Sequence, residues 1–513
     1  AILTQVGLER WLCLRRVLAP RRRNLTMSGD AEAAGQSARR VPGEARIVCL
    51  LCAVNFIEHA DSAVLSASMI SLEEDLNISM LGLSILYAGG GISMSIFGIV
   101  WGMLADHVSR KVLLTCTCVG WGLFSLLGAA TQSAHMLFVL RWGQQAMLSS
   151  MGPLSQSIVA DISEPLRRGT LFGRINLGGG LGGLITKPLA LAAADITLAH
   201  GIRGWRAMLG LVGVLGLVAA LLISRFMAEP DREQAPLART EAEPAKPGRS
   251  CGLQCRLFAG LFCIPSFLAL LGQGIFGCTA MYAKGFDALY LKRCGHSGAA
   301  LGTMSLIGGI AGLPAAQLNG AIPDAFARRS PLHGRPCAAQ VSVVAGAIAF
   351  AIWVLVAPRV GIMALTAIGI LEGLVGGWVT PGVKLPILAE IVPPHQRATS
   401  MAWLATLEGS LGGIVGPMSV GFLAEQVFGY HGPRSAKDAG EEGSDDSRAA
   451  LGTALLWCTL LPWMMQAAVF FPILHCTYRR DLCRSQAVYK IASSAEDDDS
   501  APAATEVGKP TGS

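Results

Sequence analysis

Long apolar runs alternate with short polar breaks along this chain, from Ile47 almost to the C-terminus. A helix crosses the hydrocarbon core of a bilayer with about 20 apolar residues at 1.5 Å each. By that measure the first half holds six crossings, roughly 47–69, 81–105, 112–131, 136–160, 172–194 and 205–226. The polar stretch 227–257, with Pro230, Pro236, Pro244 and Pro247, reads as a linker on the cytoplasmic side. Six more runs follow near 258–285, 299–322, 337–357, 361–391, 399–427 and 451–477. The expected fold class is an all-α membrane protein of twelve transmembrane helices in two pseudo-symmetric six-helix bundles, residues 46–226 and 258–478. Residues 1–45 read as a disordered cytoplasmic tail, with a transit-like segment as the alternative, and 479–513 as a disordered cytoplasmic tail.

The two halves repeat each other. The first carries Gly102-Met-Leu-Ala-Asp106-His-Val-Ser-Arg110-Lys111 at the end of an apolar run. The second carries Gly320-Ala-Ile-Pro-Asp324-Ala-Phe-Ala-Arg328-Arg329 in the same place, 218 positions on. A carboxylate near a helix C-terminus faces the negative end of the dipole and needs a cation close by. Arg110 and Arg328, four residues on, are the expected partners. Asp161-Ile-Ser-Glu-Pro165-Leu-Arg-Arg168 likewise matches Glu390-Ile-Val-Pro-Pro394-His-Gln-Arg397. Glycine-rich stretches, Gly178 to Gly183 and Gly409 to Gly416, sit at corresponding depths, where small residues permit close or sliding helix contacts. A duplicated half of this sort is typical of transporters.

Composition narrows the class further. Only 15% of the 513 residues are charged and the mean hydropathy is +0.49, against about 25% charge in soluble domains. The net charge of +6 is scattered over loops, which excludes a nucleic-acid surface. Lys and Arg concentrate in the loops that hold Arg110, Arg168, Arg328 and Arg397, so the positive-inside rule puts those loops and both termini in the cytoplasm. The loop with Glu73, Glu74 and Asp75 then lies on the far side, with the sequon Asn77-Ile-Ser79 close to the membrane. Most of the 14 cysteines lie in apolar runs, and Cys251 and Cys255 have no matching pair, so no metal or cofactor is expected. Neither a nucleophile–base arrangement nor a metalloprotease motif points to an enzyme.

Ionisable side chains inside the runs are the candidate chemistry, because each costs about 2.5–3.5 kcal/mol at mid-membrane on insertion scales and so faces water or a partner. Glu58, His59 and Asp61 fall near the midpoint of the first helix, with the two acids on one face. They read as lining a polar cavity or taking up protons, the alternative being an interhelical ion pair. Arg141, on the fourth helix, is the expected partner of Glu58. A nearby cation favours the charged acid and burial the neutral one, a balance suited to proton coupling. His59 reads either as a second proton group or as a hydrogen-bonded flank residue. Glu372 is a further cavity candidate, and Gln273 reads as a hydrogen-bond partner either of a solute or of a neighbouring helix. Lys187 is expected to snorkel to the surface, Lys384 and Glu408 read equally as cavity groups or as a structural pair, and Lys284 and Asp287 are expected at the outer mouth as a gate or as interfacial charge.

The paired loop motif resembles that of the major facilitator superfamily of transporters. Asn55-Phe-Ile-Glu58-His59, Gly152-Pro153, Gly204-Trp205-Arg206 and Glu229-Pro230 are similar to the spinster-like branch of that superfamily, plant and algal relatives included. The resemblance implies two bundles around a central cavity that rock between inward-open and outward-open states. It implies a cytoplasmic latch made of Gly102, Asp106, Arg110 and Lys111 with Gly320, Asp324, Arg328 and Arg329. Glu58, Asp61 and Arg141 would line the cavity. His107, Ser109 and His59 depart from the usual residues at their places, which puts the latch and acid–Arg coupling in doubt. The expected activity is secondary transport of a small organic or amphipathic solute, lysolipid among them, by a monomer coupled to protons or Na+. A ligand-binding sensor or scaffold without net transport is the alternative.

Overall fold

The computed structural model describes residues 43–162, 165–194, 196–198, 201–228, 260–392, 397–432 and 440–499. The expected segments 1–42, most of the linker and 500–513 lie outside them. The first half is built from α1 (Glu44–Leu76), α2 (Met80–His107), α3 (Arg110–Ala130), α4 (Ala134–Leu148), α5 (Met151–Ile162), α6 (Pro165–Ala193) and α7 (Gly204–Phe226). The second half holds α8 (Pro265–Ala283), α9 (Asp287–Arg293), α10 (Gly298–Arg329), α11 (Gly334–Val356), α12 (Ile362–Gly376), α13 (Leu385–Ile391), α14 (Arg397–Phe422), α15 (Gly440–Met465) and α16 (Phe471–Asp499).

Among the described residues, ten helices are long and apolar enough to cross a membrane. The other two expected crossings are the α4–α5 pair and α6. The run 136–160, expected as one helix, breaks at Ser149 and Ser150 ahead of Gly152 and Pro153. Helix α16 continues through 479–499, where the sequence reading begins a tail. Large apolar side chains such as Val139, 72% exposed, and Leu221, 67% exposed, face outward, as a lipid-facing surface requires.

Local chemistry sets the turns. Asn77 closes α1 in the left-handed conformation (φ 52°), and Ser79 Oγ accepts the Gly82 amide at 3.1 Å to start α2. The sequon is thus a tight interhelical turn. Ser109 caps α3 in the same way, accepting from Val112 N at 3.4 Å. This gives the residue that departs from the family's motif a structural task.

The two halves pack by one scheme. Helix α1 lies along α6, and α8 along α14; between halves, α2 lies along α14 and α6 along α10. Both intra-half seams are glycine-built. A Cβ at Gly182 would stand 2.1 Å from Phe56 O, and one at Gly416 would stand 2.4 Å from Thr279 O. No side chain fits at either crossing, so the helices meet backbone to backbone.

Candidate functional site

In the first half the buried polar cluster forms around Asp61. Arg141 Nη2 lies 2.7 Å from Asp61 Oδ2, and Arg141 Nη1 donates to Oδ1 at 3.0 Å. Gln144 Nε2 donates to the same Oδ1 at 2.7 Å and also to Ser125 Oγ. Both members of the ion pair are almost wholly buried. This corrects the expected partnership: Arg141 takes Asp61 rather than Glu58. Positions three apart on a helix differ by about 60° in azimuth and 4.5 Å in height, and α4 presents its guanidinium at the level of Asp61. Glu58 is half-buried and has no hydrogen bond or ion pair among the described residues. Exposed His59 bonds through Nδ1 to Asn55 O at 3.0 Å, one turn back on its own helix. Asn55 in turn donates to Ile175 O at 2.7 Å and ties α1 to α6.

The second half brings together charges that the sequence left scattered. Lys284 Nζ pairs with Glu372 Oε1 at 2.8 Å and stands over the rings of Phe350, at 5.1 Å, and Trp463, at 5.4 Å. Lys187 of α6 reaches Asp287 Oδ2 at 3.8 Å across the halves, so it points to the partner bundle rather than to the lipid surface. These four charged residues line a cavity of about 290 Å³ with Trp353 and Met304. The aromatic members and the role of Lys187 escape a sequence reading. The available signal was Lys284 closing an apolar run just before Asp287. A second cavity, of similar volume, is lined by Gln273, Gln466, Lys284 and Trp463 together with the Lys384–Glu408 pair, which closes at 2.6 Å. Gln273 is buried and donates to Leu270 O of its own helix.

The halves are joined at the Glu73 end. Buried Glu73 accepts from Arg293 Nη2 at 2.7 Å and from Tyr430 Oη at 2.9 Å, both in the second half. Glu425 accepts the Leu81 amide at 2.8 Å, and Tyr87 packs edge-on against Tyr282 and Phe286. Composition gave no hint of this lock, because Arg293, at the end of α9, and Tyr430, in a loop, lie 220 and 357 residues away.

The repeated loop motifs lie at the opposite end. A Cβ at Gly102 or Gly320 would meet nothing within 4 Å. Arg328 and Arg329 are exposed, and Arg110 and Lys111 are half-buried. Asp324 pairs with Arg335 of α11 at 2.9 Å, which corrects the expected Arg328. Helix α10 ends at Arg329, so the first turn of α11 presents the nearer cation. The side chain of Asp106 lies outside the described residues.

Three comparisons bear on this geometry. A family model described as Major Facilitator Superfamily matches residues 51–417. The hexuronate transporter of Bacillus subtilis is 23% identical over 398 residues, 75% of this chain and 89% of that protein. Protein spinster of Drosophila melanogaster is 24% identical over 411 residues, 77% of this chain and 64% of that protein. Among solved structures, a bacterial homologue of the human lysosomal transporter spinster, inward-facing and unoccupied, superposes with a TM-score of 0.71. It is 18% identical, and the match covers 86% of this chain and 98% of that one.

Proposed function

Because the chain belongs to the Major Facilitator Superfamily and is a membrane transporter rather than an enzyme, we propose that it carries a small organic or amphipathic solute by alternating access. One observation carries this reading. Among the described residues, the polar contacts seen between the halves gather at the Glu73 end, while a Cβ on Gly102 or Gly320 in the repeated motifs would face open space at the other. That is the arrangement of a carrier closed on one side and open on the other. The inward-facing state of the spinster homologue supports placing the open, motif-bearing end in the cytoplasm, as the loop lysines and arginines also require.

Glu58 is the coupling group in this reading. Among the described residues it pairs with no cation, in contrast to Asp61, and an unpaired acid in low dielectric releases and takes up a proton as water access changes sides. Asp61, Arg141 and Gln144 form the fixed frame beside it, and Gln273 and Glu372 face the solute from the second half. Asp106, Arg110 and Lys111, with Asp324, Arg328 and Arg329, form the cytoplasmic latch when that end closes.

The hexuronate transporter and spinster name carriers of quite different cargo, so the test is flux. The full chain in proteoliposomes is offered panels of sugars, organic acids and lysolipids, with and without a pH gradient. Solute accumulation that follows the gradient supports the reading. Saturable binding with no flux in either direction supports the sensor and sinks the carrier.

A further inference from the structure

Glu408 lines the second cavity beside Gly274, and one of its oxygens has no donor among the described residues. Glu408 is 1% exposed, and Lys384 holds its Oε2 at 2.6 Å, yet its Oε1 has no hydrogen-bond partner among the described residues. An unpaired oxygen of a buried charge costs free energy unless a ligand supplies a donor. Gln273 and Gln466, each 2% exposed, line the same space, and Trp463 supplies an aromatic wall.

The backbone is shaped to the same end. Helix α12 stops at Gly376, and the chain resumes through a π-helical turn, Val379–Lys384, before α13. Ser342 Oγ bridges this break, donating to Val375 O at 2.6 Å and accepting from Trp378 N at 3.3 Å. Interrupted helices and π turns inside a membrane bundle gather where a ligand is held.

Charge decides which ligand. Both lysines at the cavity, Lys284 and Lys384, already have their own carboxylates, Glu372 and Glu408. An anion would have to displace one of these, and a cation would meet two ammonium groups. A hydroxyl needs neither, since it donates to Glu408 Oε1 while accepting from a glutamine amide. We propose that this cavity of the second half is the recognition site for a neutral, hydroxyl-rich solute such as a monosaccharide or alditol. The inference rests on the carrier reading above and names the cargo of that carrier.

The test is equilibrium dialysis of the purified full chain against radiolabelled neutral monosaccharides and alditols, D-glucuronate and a lysophospholipid. A neutral member of the panel is expected to bind saturably, and at least tenfold tighter than D-glucuronate. Glu408→Gln and Gln466→Leu are each expected to weaken it tenfold or more in protein whose melting temperature stays near that of the parent. Gln273→Leu serves in place of either variant that fails to fold. Absence of neutral binding, affinities unchanged in all folded variants, or preference for the uronate or the lysolipid would overturn the proposal. Lysolipid flux in proteoliposomes without sugar binding sinks this site and leaves the carrier; sugar binding without flux does the reverse.

Discussion

Asp61 accepts from both Arg141 and Gln144, and Glu58, three residues earlier on the same helix, pairs with no cation among the described residues. Two acids that look equivalent in the sequence therefore have different prospects. One is held in a buried frame, and the other is the group proposed to change its charge.

Substitution at the two positions separates the roles. Asp61→Asn strands a buried guanidinium and is expected to cost about 3–5 kcal/mol, as breaking a buried pair does. It should lower the melting temperature and the yield of folded protein. Glu58→Gln should leave both intact while abolishing accumulation driven by a pH gradient. Undiminished accumulation by Glu58→Gln would remove that residue from the coupling step.

Uptake should depend on pH with a definite sign. In the proposed reading Glu58 takes its proton from the side on which protons enter. Accumulation is therefore expected to rise as the side from which protons enter is acidified, and to lose this dependence in Glu58→Gln. A flat profile in the parent protein would count against proton coupling.

The Glu73 lock is open to a direct test. Arg293→Ala or Glu73→Gln unpairs a buried contact between the halves. Either is expected to favour opening at that end by roughly tenfold or more, an order set by the worth of a charge-assisted buried bond. Accessibility of a single cysteine at Ala288, buried in the parent, to a membrane-impermeant maleimide reads this out. Unchanged labelling would mean that Tyr87, Tyr282 and Phe286 close that end unaided.

The glycine seams give a sharp contrast. Gly182→Val and Gly416→Val would drive side chains into the carbonyls of Phe56 and Thr279 and should prevent folding. Gly183→Ala, where a Cβ meets nothing within 4 Å, should fold as the parent does. Thermal melts in detergent check all three.

Much of the fold was legible because lipid imposes a simple rule: each crossing must be a long apolar helix. The repeat of Gly102–Lys111 at Gly320–Arg329 exposed the duplication, and the stripes around Gly182 and Gly416 mark the close crossings. The site was less legible. Hydropathy ranks Glu58 and Asp61 alike, and only the height of α4 beside α1 assigns Arg141. Lys284, Asp287 and Lys187 converge because α8 breaks at Lys284–Phe286 and turns into α9. Hydropathy averaged over a window passes over such a break. The Glu73–Arg293–Tyr430 contact joins residues 220 and 357 positions apart, and no local pattern marks such a pairing.

The paired crossings of α1 on α6 and of α8 on α14 have a mechanical consequence. Each glycine there sets the separation of two helix axes with no side chain to adjust it, so any larger residue must push the axes apart. The joints between the halves carry the same marking, since a Cβ at Gly91 would stand 3.1 Å from Gly413 C and one at Gly302 2.7 Å from Pro188 O. Spacing in this bundle is therefore fixed by glycine within each half and across the two alike.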